Sequence, residues 1–119
     1  MNSVILRGRI SSAPQCRTLA SGSLLYSIAL TTNTDEGAWS VPVAWFDPPS
    51  VPVLDAGDEV VVVGAVRRRF FRGANGTQSR TEVVASDVVV ASARRKVQRV
   101  LQRELTRLGT DVGGALRSV

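Results

Sequence analysis

The chain has no histidine, which removes Ser-His-Asp and Cys-His catalysis and any histidine metal site. It has one cysteine, Cys16, so neither an internal disulfide nor a thiolate metal cluster can form. Lysine is almost absent too: of 15 basic residues, only Lys96 is not an arginine. Arginine suits planar, bidentate recognition of phosphate or carboxylate better than lysine does. The N-terminus, MNSVILRGRI, lacks the long apolar run of a signal peptide or membrane span, so a soluble intracellular protein without a membrane partner is expected. Acids are present, among them Asp55, Asp58, Glu59, Glu82 and Asp87, but they are scattered and no nucleophile–base set accompanies them. No enzymatic activity, catalytic residue, cofactor or metal is expected.

What remains is a basic β-rich chain. Its 119 residues suit one domain, which buries roughly two thirds of its unfolded surface. Apolar residues make up 44% and charged residues 21%, a globular balance, and the formal net charge is +5. A basic balance points to nucleic acid or another acidic partner.

Strand patterns fall at 2–12, 24–32, 39–46, 58–69 and 80–92, rich in β-branched residues or alternating in polarity. Ala13-Pro14 breaks the first, and QCRTL at 15–19 reads as a short continuation beyond a kink or bulge. Ser21-Gly22 is a turn, 33–38 a polar hairpin, and Asn75-Gly76 the strongest turn signal, inside a long hairpin at 70–79. Three prolines in 47–57 disfavour a long helix there. From residue 94 the period changes. Val97, Val100, Leu101, Leu105 and Leu108 form one helical face, with Ser92 as the expected N-cap, Gly109 as the stop and a frayed tail beyond. Five curved strands and a terminal helix fit the small barrel that binds oligonucleotides or oligosaccharides; an SH3-like barrel or small sandwich fits the pattern nearly as well.

An ordered set of motifs separates these. Asn2, Val4, Leu6, Gly8, Ile10, Pro14 and Arg17, then Ser21-Gly22, Ser27-Ile28-Ala29-Leu30, Trp39 with Trp45, GAVRRRFF at 64–71 and Thr81-Glu82-Val83-Val84-Ala85 follow in sequence. Together they resemble the bacterial single-stranded DNA-binding proteins (SSB) over residues 2 to about 92. The resemblance implies a mainly β fold: a five-stranded OB-fold barrel with extended hairpins over 1–93, followed by a basic amphipathic helix and tail over 94–119. It implies sequence-tolerant binding of single-stranded DNA in replication, recombination or repair, by a homo-oligomer, a tetramer before a dimer. A cytoplasmic, nucleoid-associated location goes with that. The chain departs from the pattern in the short 33–38 hairpin, the proline-rich 47–57 segment and Pro42 within a strand. A basic helix also stands where the family ends in an acidic, Phe-terminated tip, so tip-mediated recruitment of repair proteins is not expected. The alternative is a paralogue that acts as a structural adaptor through oligomerisation and that helix.

Single strands held without sequence reading need cations along the phosphates and flat faces for unstacked bases. By resemblance Trp39, Trp45 and Phe71 are the stacking aromatics; taken alone, two tryptophans would be assigned to the core. Alternation sets Arg67, Arg69 and Phe71 on one face and Arg68, Phe70 and Arg72 on the other, with Phe71 expected outside and Phe70 in the core. If the strands at 39–46 and 64–72 are neighbours, the aromatics are flanked by arginines. Arg67, Arg69, Arg72, Arg7 and Arg9 are the expected phosphate contacts. Arg95, Arg99, Arg103 and Arg107 are auxiliary ones on the helix. Gly8 and Gly64 are expected as barrel bends, Tyr26 as core or interface, and Cys16 as a partly buried inert thiol.

Overall fold

In the structure, a computed structural model, residues 1–117 are described, with side chains through residue 110. The elements are β1 (Val4–Ile10), β2 (Gln15–Thr18), β3 (Leu24–Thr34), β4 (Gly37–Phe46), β5 (Glu59–Gly73), β6 (Gly76–Val90) and α1 (Arg94–Arg117). Their order in the sheet is β1-β5-β6-β4-β3-β2, and β1 also meets β3 at Arg9 and Ile10. That pairing closes a five-stranded barrel. β2, the segment read as a continuation of β1, is a separate short strand on Leu24–Ser27 of β3. Cys16 on it is exposed, not partly buried.

The alternating strands fill the barrel with Ile10, Ile28, Leu30, Val43, Trp45, Val60, Val62, Val83 and Val88. Two close approaches shape it. A Cβ on Gly8 would strike the carbonyl of Thr31, and one on Gly64 the carbonyl of Val84. Gly64 also sits at a register shift in the β5–β6 ladder, where a bulge bends the strand. The expectation of barrel bends at both glycines therefore has a backbone cause. Pro42, opposite Ala29, lies one residue before the short parallel contact of β4 with β6 at Val43 and Ala44, so its missing N–H falls outside that contact. Asn2 extends β1 without being in it: its side-chain amide donates to the Val66 carbonyl at 2.7 Å and accepts from the Val66 N–H at 3.0 Å.

The ladders run further than the pattern indicates. Strand pairing continues through 70–79 to Gly73 opposite Gly76, leaving only Ala74-Asn75 as a turn. Gly76 takes φ 101°, open to glycine and strained for other residues. The β3–β4 hairpin likewise closes on Asp35-Glu36. Residues 47–57 carry no helix.

α1 also outruns its expected stop. Gly109 has no left-handed φ and the helix passes through it; residues 118–119 of the expected frayed tail lie outside the described residues. Helix entry uses the Ala93 carbonyl, which accepts from the Val97 N–H, in place of a Ser92 side-chain cap. Only part of the apolar face docks. Val100 and Glu104 are buried, whereas Leu105 is 56% exposed. Glu104 accepts hydrogen bonds from Arg107 and from the Ser3 hydroxyl, and these hold its carboxyl below the usual range. A lowered pKa means Glu104 stabilises the docked helix above the ordinary glutamate value near about 4.3, and the contribution fades as pH falls through the lowered value. The melting temperature of Glu104→Gln should therefore lie below that of the parent at pH 7. The gap should close in acid, and a gap independent of pH would exclude this role.

Candidate nucleic-acid interface

β4 and β6 run parallel, with ladder pairing at Val43–Val83 and Ala44–Val84. Each strand comes down to that junction from its own hairpin, so both hairpins leave the barrel at the same end. Trp39 lies four residues before Val43 in β4; Ser79, the partner of Phe70, lies four before Val83 in β6. At strand rise both stand about 13 Å beyond the junction.

Alternation assigns faces. Val43 and Trp45 face the core, so Trp39 extends the core-side face of β4. Val66 pairs with the core residue Val83, so Val66, Arg68, Phe70 and Arg72 extend the core-side face of β5. Trp39 (54% exposed) and Phe70 (65% exposed) are thus matched in height and face on two diverging arms. The Arg68 guanidinium lies 5.2 Å from the Phe70 ring centre, within cation–π range, and its Nη2 donates to Ser79. An aromatic side chain on each arm with arginine beside it is what an unstacked base and its phosphate require.

The opposite face holds Arg67, Arg69 and Phe71, with Phe46 from β4. Arg67 lies 5.3 Å from the Phe46 ring centre and Arg69 5.8 Å from that of Phe71. Both arginines converge on the buried carboxylate of Glu82, at 3.0 and 3.3 Å. One acid shared by two guanidiniums fixes their positions and leaves net positive charge. Arg72 and Arg80 have no acidic partner among the described residues. Between residues 66 and 82 the sequence holds five arginines and one glutamate, a concentration hidden by the even balance of the barrel as a whole.

Several expected site residues are not where the pattern put them. Trp45 is 5% exposed, packed at a tilt against Tyr26 in the core, and takes no part in the surface of the arms. β4 and β5 are not neighbours, because β6 runs between them. By the pairing of Val83 with Val43 and Val66, Trp39 and Phe71 lie on opposite faces, and Phe70, expected in the core, is more exposed than Phe71. Arg7 and Arg9 stand apart from the arginine arm: Val61, the partner of Arg7, is six residues of β5 before Arg67, about 20 Å along the strand. Arg7 is ion-paired with Glu59 and holds that carboxyl below its usual range, and Arg9 donates to the Gly57 carbonyl. On α1, Arg103 pairs with Asp87 and Arg107 with Glu104, so neither projects freely; Arg95 and Arg99 have no ion pair among the described residues.

Phe46, Phe70, Arg68 and Arg80 were missing from the pattern-based set. No periodicity signals Phe46, since its role depends on Arg67 reaching it across strands. Phe70 was recoverable from the same alternation as Phe71, had the face of Val66 been known.

A model of the Single-strand binding protein family matches residues 1–91. Among solved structures, the Plasmodium falciparum SSB complex with ssDNA superposes with a TM-score of 0.66 at 21% sequence identity, covering 76% of this chain and 94% of that one. At that identity the likeness is one of fold. No curated protein matches the sequence.

Proposed function

From the premise that this chain belongs to the single-strand binding protein family, we propose that it binds single-stranded DNA with little regard to sequence, in the cleft between the β3–β4 and β5–β6 arms. The observation that carries the reading is the matched pair Trp39 and Phe70, exposed at the same height and on the same face of the two arms, with Arg68 and Arg72 beside Phe70. Bases stack on the two aromatic side chains, and phosphates take Arg68 and Arg72, which share their face and have no acid partner among the described residues; Arg80, opposite Arg69, adds charge on the other face. Arg67 and Arg69, held by Glu82, add a fixed positive field behind Phe46 and Phe71. Binding of this kind serves replication, recombination or repair.

Self-association fits the same chain. β1 pairs β5 along one edge, but its other edge pairs β3 only at Arg9 and Ile10, leaving Val4–Arg7 unpaired on that side with Ile5 43% exposed. An open edge strand is a template for pairing with a second chain.

Titration with oligo(dT) of increasing length tests the function. Trp39 fluorescence should quench, and affinity should fall with salt at a log–log slope near about −0.7 per phosphate contacted. An unquenched protein that gives no gel shift would rule the reading out, and sizing in the same samples reads the assembly state.

A further inference from the structure

At the other end of β4 and β6 from the arms, α1 and the Pro49–Pro52 segment enclose a cleft of about 490 Å³. Trp45, Val88, Val90 and Val100 supply apolar lining, and Lys96, Arg99 and Arg103 line it from the helix. Arg103 is engaged by Asp87, whereas Lys96 and Arg99 have no ion pair among the described residues. At 1.5 Å rise per residue the three cations span about 10 Å along the helix axis, a row beside an apolar slot. The helix starts Arg94-Arg95-Lys96 with no acid in its first turn. Cations there oppose the positive end of the helix dipole, an arrangement that an anion relieves.

A flat apolar body with negative charges at intervals along one side matches this cleft, and a strand of nucleotides has that form. We propose that the cleft is a second subsite for single-stranded nucleic acid: a base enters between the Pro49–Pro52 segment and α1, and its flanking phosphates take Lys96 and Arg99. This rests on the functional reading above and extends it to a helix that carries the excess charge of the chain. An acidic peptide with an apolar anchor is the competing occupant; the row of cations beside a slot favours the polymer.

The test uses the full chain carrying Trp39→Phe, which keeps an aromatic ring on the arm and leaves Trp45 as the sole tryptophan. Adding saturating long oligo(dT) should change Trp45 emission. Adding Lys96→Glu and Arg99→Glu, both exposed positions, should abolish that change and make the salt slope shallower by about 1.4, two phosphates at 0.7 each. Binding with silent Trp45 emission and an unaltered slope overturns the second subsite while leaving the arm cleft standing. A Trp45 response to polyglutamate and not to oligo(dT) overturns it in favour of a protein partner. A parent chain that binds no oligo(dT) overturns both readings together.

Discussion

Replacing Trp39 and Phe70 together with alanine is expected to weaken oligo(dT) binding by about 2–6 kcal/mol, at roughly 1–3 kcal/mol per stacked base. That corresponds to a loss between about thirtyfold and twenty-thousandfold at 1.4 kcal/mol per decade. Both side chains are largely exposed, so thermal stability should stay close to that of the parent. The comparison with Trp45 makes the prediction sharp. Trp45→Ala removes a core side chain and should cost about 3–5 kcal/mol of folding stability, with any loss of binding following from unfolding. Phe71→Ala should have a smaller effect on binding than Phe70→Ala, because its ring lies on the far face with Arg69 over it. Fluorescence anisotropy and thermal melts on these four variants read both quantities. Equal binding losses for Phe70→Ala and Phe71→Ala, at unchanged stability, would contradict the facing-arm arrangement.

Gly64→Ala is expected to be among the most destabilising single methyl additions in the barrel. The added carbon would fall onto the Val84 carbonyl oxygen, 2.9 Å from its carbon and 3.0 Å from the Ala85 Cα, all backbone atoms. No rotamer change relieves a clash with backbone, so β5 and β6 have to separate at their bulge. Overpacking costs about 1–3 kcal/mol where side chains can yield, and this site belongs at or above the upper end. A fall in melting temperature of roughly 10 °C or more should follow for a domain of this size. Gly109→Ala is the matched control. It lies within α1 with open space around it, and alanine there should stabilise the helix by up to about 1 kcal/mol. A Gly64→Ala protein as stable as the parent would mean that the strands do not approach this closely.

Much of this molecule follows from local chemistry. Alternation of β-branched residues indicates strands over 2–12, 24–32, 39–46, 58–69 and 80–92, because that period buries one face and wets the other, and the structure extends the last two into the 70–79 hairpin. Glycine at 37 and 76 determines where the two hairpins turn, since the backbone there has positive φ. The change of period at residue 94 determines a helix. The arginine cluster and the scarcity of aromatics narrow the candidates for nucleic-acid contact to a few side chains.

What local chemistry cannot determine is which strand lies beside which, and the site depends on that. Insertion of β6 between β4 and β5 separates Trp39 and Trp45 from the arginine strand they were expected to flank. The bulge at Val63/Gly64 shifts the β5–β6 register, so only the pairing of Val66 with Val83 reveals that Phe70, not Phe71, shares a face with Trp39. Trp45 goes to the core and Trp39 to the surface although they share one face of one strand. The barrel closes over the end of β4 nearer Phe46, while the β3–β4 hairpin carries the other end past it. On α1, Leu105 of the apolar face stays exposed, while a buried glutamate, anchored by Ser3 from the far end of the chain, packs against the barrel. Those contacts join residues remote in sequence, and a side chain's face becomes a function only when a distant strand determines what stands opposite it.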